Sequence, residues 1–177
     1  MNQLFNKIKA TLSPHIKLST IKNSIICCSG GPDSVFLAHA IKEITNNHHH
    51  LVYFDHMLRP NETKEEKKLI NVLGKTLKFS VHIIPLKISK KNQAHYRTQR
   101  LKELEQLSKK LETNIIFLGH HLDDLNESFF MRKIQQSGTI GLSNIFSKKY
   151  RNIKLHRPLK KYTKKQIKRY ADRNKLI

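Results

Sequence analysis

Ser29-Gly30-Gly31-Pro32-Asp33-Ser34 lies between the apolar run Ser24–Cys28 and a helix-like run beginning near Val35, and it has the makeup of a phosphate cradle. Glycines let backbone N–H groups close on an anion. The Ser29 and Ser34 hydroxyls add donors, and a helix starting after Asp33 turns its positive end to the same point. The spacing G-x-x-x-x-G-K-[ST] is absent and no lysine follows the glycines, so this is not the other common phosphate loop. A second segment, His120-His121-Leu122-Asp123-Asp124-Leu125-Asn126-Glu127-Ser128, carries two histidines and three acids. On a helical wheel Leu122, Leu125 and Phe129 share one face, and Asp124, Glu127, Ser128 and Met131 share the opposite one, which makes a paired acid face. Arg97 and Arg100 fall on the apolar stripe of Ala94, Leu101, Leu104, Leu107 and Leu111 and need an anionic partner there, either an internal carboxylate or a bound substrate. His56 and Arg59 follow a strand within Asp55-His56-Met57-Leu58-Arg59, at the same edge as the glycine loop. The run His48-His49-His50 precedes that strand in a polar turn and has no ligand spacing with an acid.

These segments need elements to hold them. Apolar runs at Ile25–Cys28, Leu51–Phe54, Val81–Leu86 and Ile115–Leu118 read as buried parallel strands. Between and after them, helical periodicity marks Val35–Ile44, Glu62–Leu77, Gln93–Leu111, Asp123–Ile134 and Lys164–Arg173, the last with a capping-box start in Thr163-Lys164-Lys165-Gln166. The alternation predicts an α/β fold, a doubly wound, mostly parallel sheet with helices on both faces. Such a sheet binds ligands at the carboxyl ends of its strands, where residues 29–34, 55–59 and 119–124 all fall.

Length and composition predict one domain over residues 1–177 with a basic tail from about residue 148. No apolar run approaches the ~20 residues that cross a bilayer, and the N-terminal segment lacks the apolar core of a secretory signal and reads as a first helix. Cys27 and Cys28 are adjacent in a strand, point to opposite faces and form no C-x-x-C pair, which suits a reducing compartment. The formal net charge is +21. Such a charge suggests a polyanionic partner bound through phosphates, although 26 lysines against 8 arginines also fit an A/T-rich coding sequence. From Lys148 onward there are 13 Lys and Arg residues against one acid, Asp172.

The loop Ser29–Ser34 resembles that of the PP-loop (N-type ATP pyrophosphatase) family, whose fold is adenine nucleotide α-hydrolase-like. Further segments resemble, within it, the tRNA(Ile)-lysidine synthases: Asp55-His56-Met57-Leu58-Arg59-Pro60, the Arg97/Arg100 pair, Gly119–Asp124 with Glu127, Ser137-Gly138-Thr139-Ile140-Gly141-Leu142, and Arg157-Pro158-Leu159. The series covers about residues 24 to 160. Leu125 stands where the family has Gln, Ser128 where it has Thr, and Gln135-Gln136 where it has Arg-Gly.

The resemblance implies a ligase that uses ATP and Mg²⁺ to adenylate C2–O of the wobble cytidine in a tRNA(Ile) with a CAU anticodon, after which free lysine attacks C2. By position it implies an ATP and pyrophosphate site of Ser29, Gly30, Gly31, Pro32, Asp33, Ser34, His56 and Arg59, with Asp33 also as the Mg²⁺ ligand. It implies Asp33, His120, Arg100 and Asp124 as the catalytic set and Asp124 and Glu127 as the lysine-binding acids. Lys160, Lys161, Lys164 and Lys165 are expected to contact tRNA, since the family's C-terminal RNA-binding domains have no counterpart in this sequence. The expected compartment is a bacterial cytoplasm or an organelle, without secretion. Three alternatives stay open: another PP-loop tRNA-modifying enzyme, a tRNA-binding remnant without catalysis, and a two-metal phosphohydrolase built from Asp33, Asp55-His56, His120-His121 and Asp123-Asp124.

Overall fold

In the computed structural model the described residues are 3–13, 17, 20–45, 47–57, 60–86, 93–127 and 149–176. The elements run α1 (Gln3–Leu12), β1 (Ile25–Cys27), α2 (Pro32–Thr45), β2 (His50–Asp55), α3 (Pro60–Leu77), β3 (Ser80–Pro85), α4 (Gln93–Lys110) and β4 (Ile115–Leu118). A helical segment over 122–127 (α5), then β5 (Lys149–Tyr150), β6 (Ile153–His156) and α6 (Lys164–Arg173), complete them. The sheet order is β3-β2-β1-β4-β6-β5. All neighbours pair in parallel except β5, which runs antiparallel to β6.

Parallel strands buried on both faces need apolar residues at every position. β1 supplies them: Ile26 packs with Leu51, Phe117 and helices α1, α2, α3 and α6, while Ile25 packs on the other face with Val52, Ile116 and Leu104 of α4. Cys28 and Cys27 follow the same alternation to opposite faces. The sheet is therefore doubly wound. β2 lies on one side of β1 and β4 on the other, and this reversal opens a crevice above the carboxyl ends of β1 and β4.

α2 begins at Pro32, three residues before the periodic pattern does. Proline is preorganised for the first helical position, where its missing N–H costs nothing, so the end of the glycine loop is also the first turn of the helix. At Gly74 a Cβ would stand 2.3 Å from Val81 Cγ2, so α3 closes on β3 only because that position has no side chain. The N-terminal helix is present, with Ile8 and Leu12 in the core.

The basic segment is built into the fold. β6 alternates buried Ile153 and Leu155 with exposed Lys154. α6 buries Ile167 and Ala171 and turns Lys164, Lys165, Lys168 and Arg169 to solvent. Tyr170 of α6, Phe36 of α2 and Phe5 of α1 pack as three rings with centroids 5.2–5.9 Å apart. The capping box forms as expected: the Gln166 amide donates to Thr163 Oγ1 at 3.3 Å, and the Thr163 amide donates to Gln166 Oε1 at 2.8 Å. Among the described residues no helix is long and apolar enough to cross a membrane.

Candidate active site

Gly30 has φ +83°, in the left-handed region that side chains avoid, and this turns the chain from β1 into α2. The Ser34 hydroxyl fastens the loop from inside. It donates to the Gly31 carbonyl at 2.8 Å and accepts from the Ser29 amide at 3.2 Å, and Cys28 Sγ approaches at 3.5 Å. Ser34 is 6% exposed, so its hydroxyl shapes the cradle from within, while Ser29 stands exposed at the rim.

Above the carboxyl ends of the strands lies a cleft of about 500 Å³. Ser29, Gly31, Asp33 and Ser34 form one wall of it. Arg97 and Arg100 of α4 stand on another together with Arg157, and Gly119, His120 and Asp124 contribute from the end of β4. A Cβ on Gly119 would lie 3.4 Å from Ser34 Cα, so the turn after β4 rests directly on the first turn of α2.

His121 occupies the centre of that junction and is 4% exposed. Its amide donates to Asp124 Oδ2 at 3.0 Å, and the Asp124 amide donates back to His121 Nδ1 at 3.3 Å. This is a reciprocal cap with histidine in the usual Ser/Thr place. The other ring nitrogen, Nε2, faces Asp124 Oδ1 at 3.5 Å and Asp33 Oδ2 at 3.7 Å. Burial pushes the Asp33 carboxyl above its ordinary value; His121 opposes that push, the Asp124 carboxylate adds to it, and Lys164 opposes it.

His120 opens onto the cleft but is flanked by protein. Burial, and then Arg157, lower its pKa to about 4; Asp124 opposes this and Arg100 and Arg97 add to it. Its imidazole is neutral at physiological pH, with a lone pair available to a donor. Burial and the neighbouring Arg97 bring Arg157 down to about 10. Cys27 lies on the cleft floor, where burial pushes its thiol up to about 12 and makes it inert. His56, at the end of β2, stacks edge-on against Tyr96 at 5.3 Å and lines the cleft.

A family model described as a PP-loop domain matches residues 2–177. The chain belongs to the PP-loop family. Curated relatives named tRNA(Ile)-lysidine synthase are similar to this PP-loop chain: that of Bacillus cereus is 30% identical over 97% of the chain and 38% of the relative. That of Bdellovibrio bacteriovorus is 31% identical over 97% and 56%, and that of Rickettsia typhi 29% over 98% and 41%. The chain thus spans between two fifths and just over half the length of these relatives. Among solved structures, the U34-tRNA thiolase NcsA from Methanococcus maripaludis with its [4Fe-4S] cluster superposes with a TM-score of 0.81 at 18% identity, over 98% of this chain and 64% of that one. The NH3-dependent NAD synthetase of Campylobacter jejuni superposes with 0.65 at 15%, over 99% and 75%. At such identities these two show the fold alone.

Of the residues singled out from sequence, the structure brings together on the cleft Ser29, Gly31, Asp33, Ser34, His56, Arg97, Arg100, His120 and Asp124. Gly30 and Pro32 shape the loop without lining it, and Glu127 is exposed beyond the wall. Lys161, Lys164 and Lys165 are exposed and Lys160 is half-buried, all on the adjoining α6 side. Arg59, residues 128–134 of the expected helix, Ser128, Gln135-Gln136 and Ser137–Leu142 lie outside the described residues.

The carboxylates of the two-metal alternative are split. Asp55 is held below the usual carboxylate range because, although burial alone would raise it, Lys67 at 2.6 Å and the Met57 amide at 2.7 Å hold its charge. Asp123 turns away to accept from the Lys164 amide at 2.7 Å. Sequence reasoning left three contributors outside its site: His121, Arg157 as an electrostatic neighbour of His120, and Glu66, which accepts from Tyr53 and lines the cleft. The His-x-x-Asp spacing of a reciprocal cap was the available signal for His121.

Proposed function

We propose that this chain is the catalytic domain of a tRNA(Ile)-lysidine synthase. The observation that carries the reading is the meeting in one cleft of the phosphate loop with Arg100 and with His120 and Asp124, from two segments remote in sequence from the loop. The names of the relatives support the substrate, and PP-loop membership supports ATP.

In this reading ATP lies with its phosphates on the 29–34 loop and the first turn of α2. The wobble cytidine C2 oxygen attacks the α-phosphorus, pyrophosphate leaves, and the base carries an adenylate. The guanidinium groups of Arg97, Arg100 and Arg157 offset the charge on phosphate and adenylate oxygens within the cleft. Lysine enters with its ammonium toward Asp124. Its amine has an ordinary pKa of about 10.4 and must pass a proton to the Asp124 carboxylate before it attacks C2 and expels AMP. The neutral His120 accepts a hydrogen bond from that amine and orients its lone pair.

Mg²⁺ fits the residues present, since it keeps most of its water and takes phosphate oxygens with only one or two carboxylates. Asp33 lines the cleft beside the loop and would hold it, and the ion would offset the charge of the departing pyrophosphate.

The test is pyrophosphate release by the full chain with ATP and an isoleucine tRNA bearing CAU, with and without lysine, followed by mass analysis of the wobble nucleoside. The expected outcome is a lysine-dependent mass gain on that cytidine. Tight tRNA binding with no pyrophosphate release would overturn the reading in favour of a binding remnant, and a sulfur mass gain when sulfide is supplied in place of lysine would make the chain a thiolase.

A further inference from the structure

We propose that His121 is a positioning residue that sets the distance and orientation between Asp33 and Asp124. Its kinetic consequences rest on the ligase reading above; the hydrogen-bond arrangement rests on geometry alone. Asp33 sits in the first turn of α2 and Asp124 in the first turn of α5, and among the described residues no backbone hydrogen bond joins those two turns. Two carboxylates brought to one cleft repel each other, so something must hold them together in the absence of a cationic substrate.

The ring of His121 is suited to that task. Because Nδ1 accepts the Asp124 amide at 3.3 Å, the ring hydrogen resides on Nε2. Nε2 stands 3.5 Å from Asp124 Oδ1 and 3.7 Å from Asp33 Oδ2, an electrostatic contact shared by both acids rather than a hydrogen bond to either. Nδ1 also stands 3.8 Å from Asp123 Oδ2. With only 4% of the residue exposed, the ring is fixed by packing. One imidazole therefore fixes Asp124 through its cap and Asp33 through its far edge. It links the acid beside the phosphate loop to the acid that faces the incoming amine.

Two substitutions separate the cap from the bridge. In His121→Asn the amide oxygen takes the Asp124 N–H, and asparagine is a favoured cap, but nothing remains at the Nε2 position. In His121→Gln the side-chain amide places a donor near Nε2. We expect His121→Asn to lower the melting temperature for the lost ring packing but to keep the parent's tRNA affinity while kcat/KM for lysine falls about 10–100-fold, as for residues that orient functional groups. His121→Gln should recover most of that loss. Lysine kinetics of His121→Asn within about twofold of the parent would overturn the proposal.

A measurement on the unmodified chain stands independently of activity and of whether the variants fold. Nitrogen-15 chemical shifts of the His121 ring should show an unprotonated Nδ1 and a protonated Nε2, and the reverse tautomer would sink the bridge. Absence of lysine-dependent turnover in the parent would instead count against the ligase reading and leave the tautomer result to decide the positioning role.

Discussion

Asp124 does two jobs with one carboxylate, accepting the His121 amide and facing the cleft. Asp124→Asn keeps an acceptor for the cap and removes the charge, so it isolates the second job. We expect KM for lysine to rise about 10–100-fold, the worth of a hydrogen bond to a charged group, with tRNA binding unchanged; steady-state kinetics at varied lysine beside a filter-binding titration checks this, and equal loss of both would remove the lysine-binding role. Gly30 makes a different demand. The nearest atom to an added Cβ is 3.7 Å away, so there is room for a side chain and only the backbone objects, at φ +83°. Gly30→Ala should cost about 1–2 kcal/mol of stability, read in a denaturant titration, and lower ATP turnover as the loop relaxes. The loop was legible in the sequence because glycine, serine and proline have few other reasons to be adjacent. Which of the two adjacent histidines is buried was not legible. That choice is made by the turn after β4 resting on α2, a contact between residues 119 and 34 that periodicity does not encode.

At the scale of elements, α5 and α6 are fastened at their starts. The Leu122 amide donates to the Tyr162 carbonyl at 2.9 Å, and the Lys164 amide donates to Asp123 Oδ2 at 2.7 Å. Asp123 thus caps the helix that carries the basic face, and it holds that helix beside the acid pair. Asp123→Ala should cost about 1 kcal/mol, the usual value of a missing cap, and lower the melting temperature by about 2–4 °C. Hydrogen exchange should quicken in the first turn of α6, where the Thr163 box still holds the remaining amides. Unchanged exchange there would show that the box alone suffices. Strands β1 to β4 and the long helices could be read from apolar runs and 3.6-residue spacing, because burial on one or both faces or along one stripe leaves a composition signal. β5 and β6 could not. They are two and four residues long, with β5 at the edge of the sheet and β6 beside it, and their outward positions are lysines that dilute the pattern of Ile153 and Leu155.

For the whole molecule, two electrostatic loads act together. The first is the net charge of +21, to which the segment from Lys148 onward contributes 13 Lys and Arg against one acid. Converting Lys160, Lys161, Lys164 and Lys165 to Ala should weaken tRNA binding and flatten its dependence on log salt by about 0.7–0.9 for each phosphate that is no longer neutralised. An unchanged slope would assign those lysines to composition rather than to contact. The second load is a set of histidines kept neutral by the fold. Burial first, then neighbouring cations and imidazoles, lower His49 and His50 to about 4, and burial and Arg157 do the same to His120. Each is near 6.5 in the unfolded chain, so between about 6.5 and 4 unfolding takes up protons and stability falls as pH falls. Asp33, whose carboxyl is raised, works in the opposite direction above its ordinary value, but it is one group against six, since burial first also lowers His39, His56 and His82. Every histidine that charges also adds to a surface already self-repelling. Melting temperature should therefore drop steeply from about pH 7 to about pH 4.5, the slope of unfolding free energy against pH being set by several protons taken up. His49 is the place to test the cause, because both its nitrogens are engaged in the core, Nδ1 with Ser24 Oγ at 2.8 Å and Nε2 with Thr45 Oγ1 at 2.7 Å. His49→Gln should start less stable and lose about one proton of that slope. A variant that melts lower at every pH with the slope intact would place the acid sensitivity in surface charge instead of in the buried imidazoles.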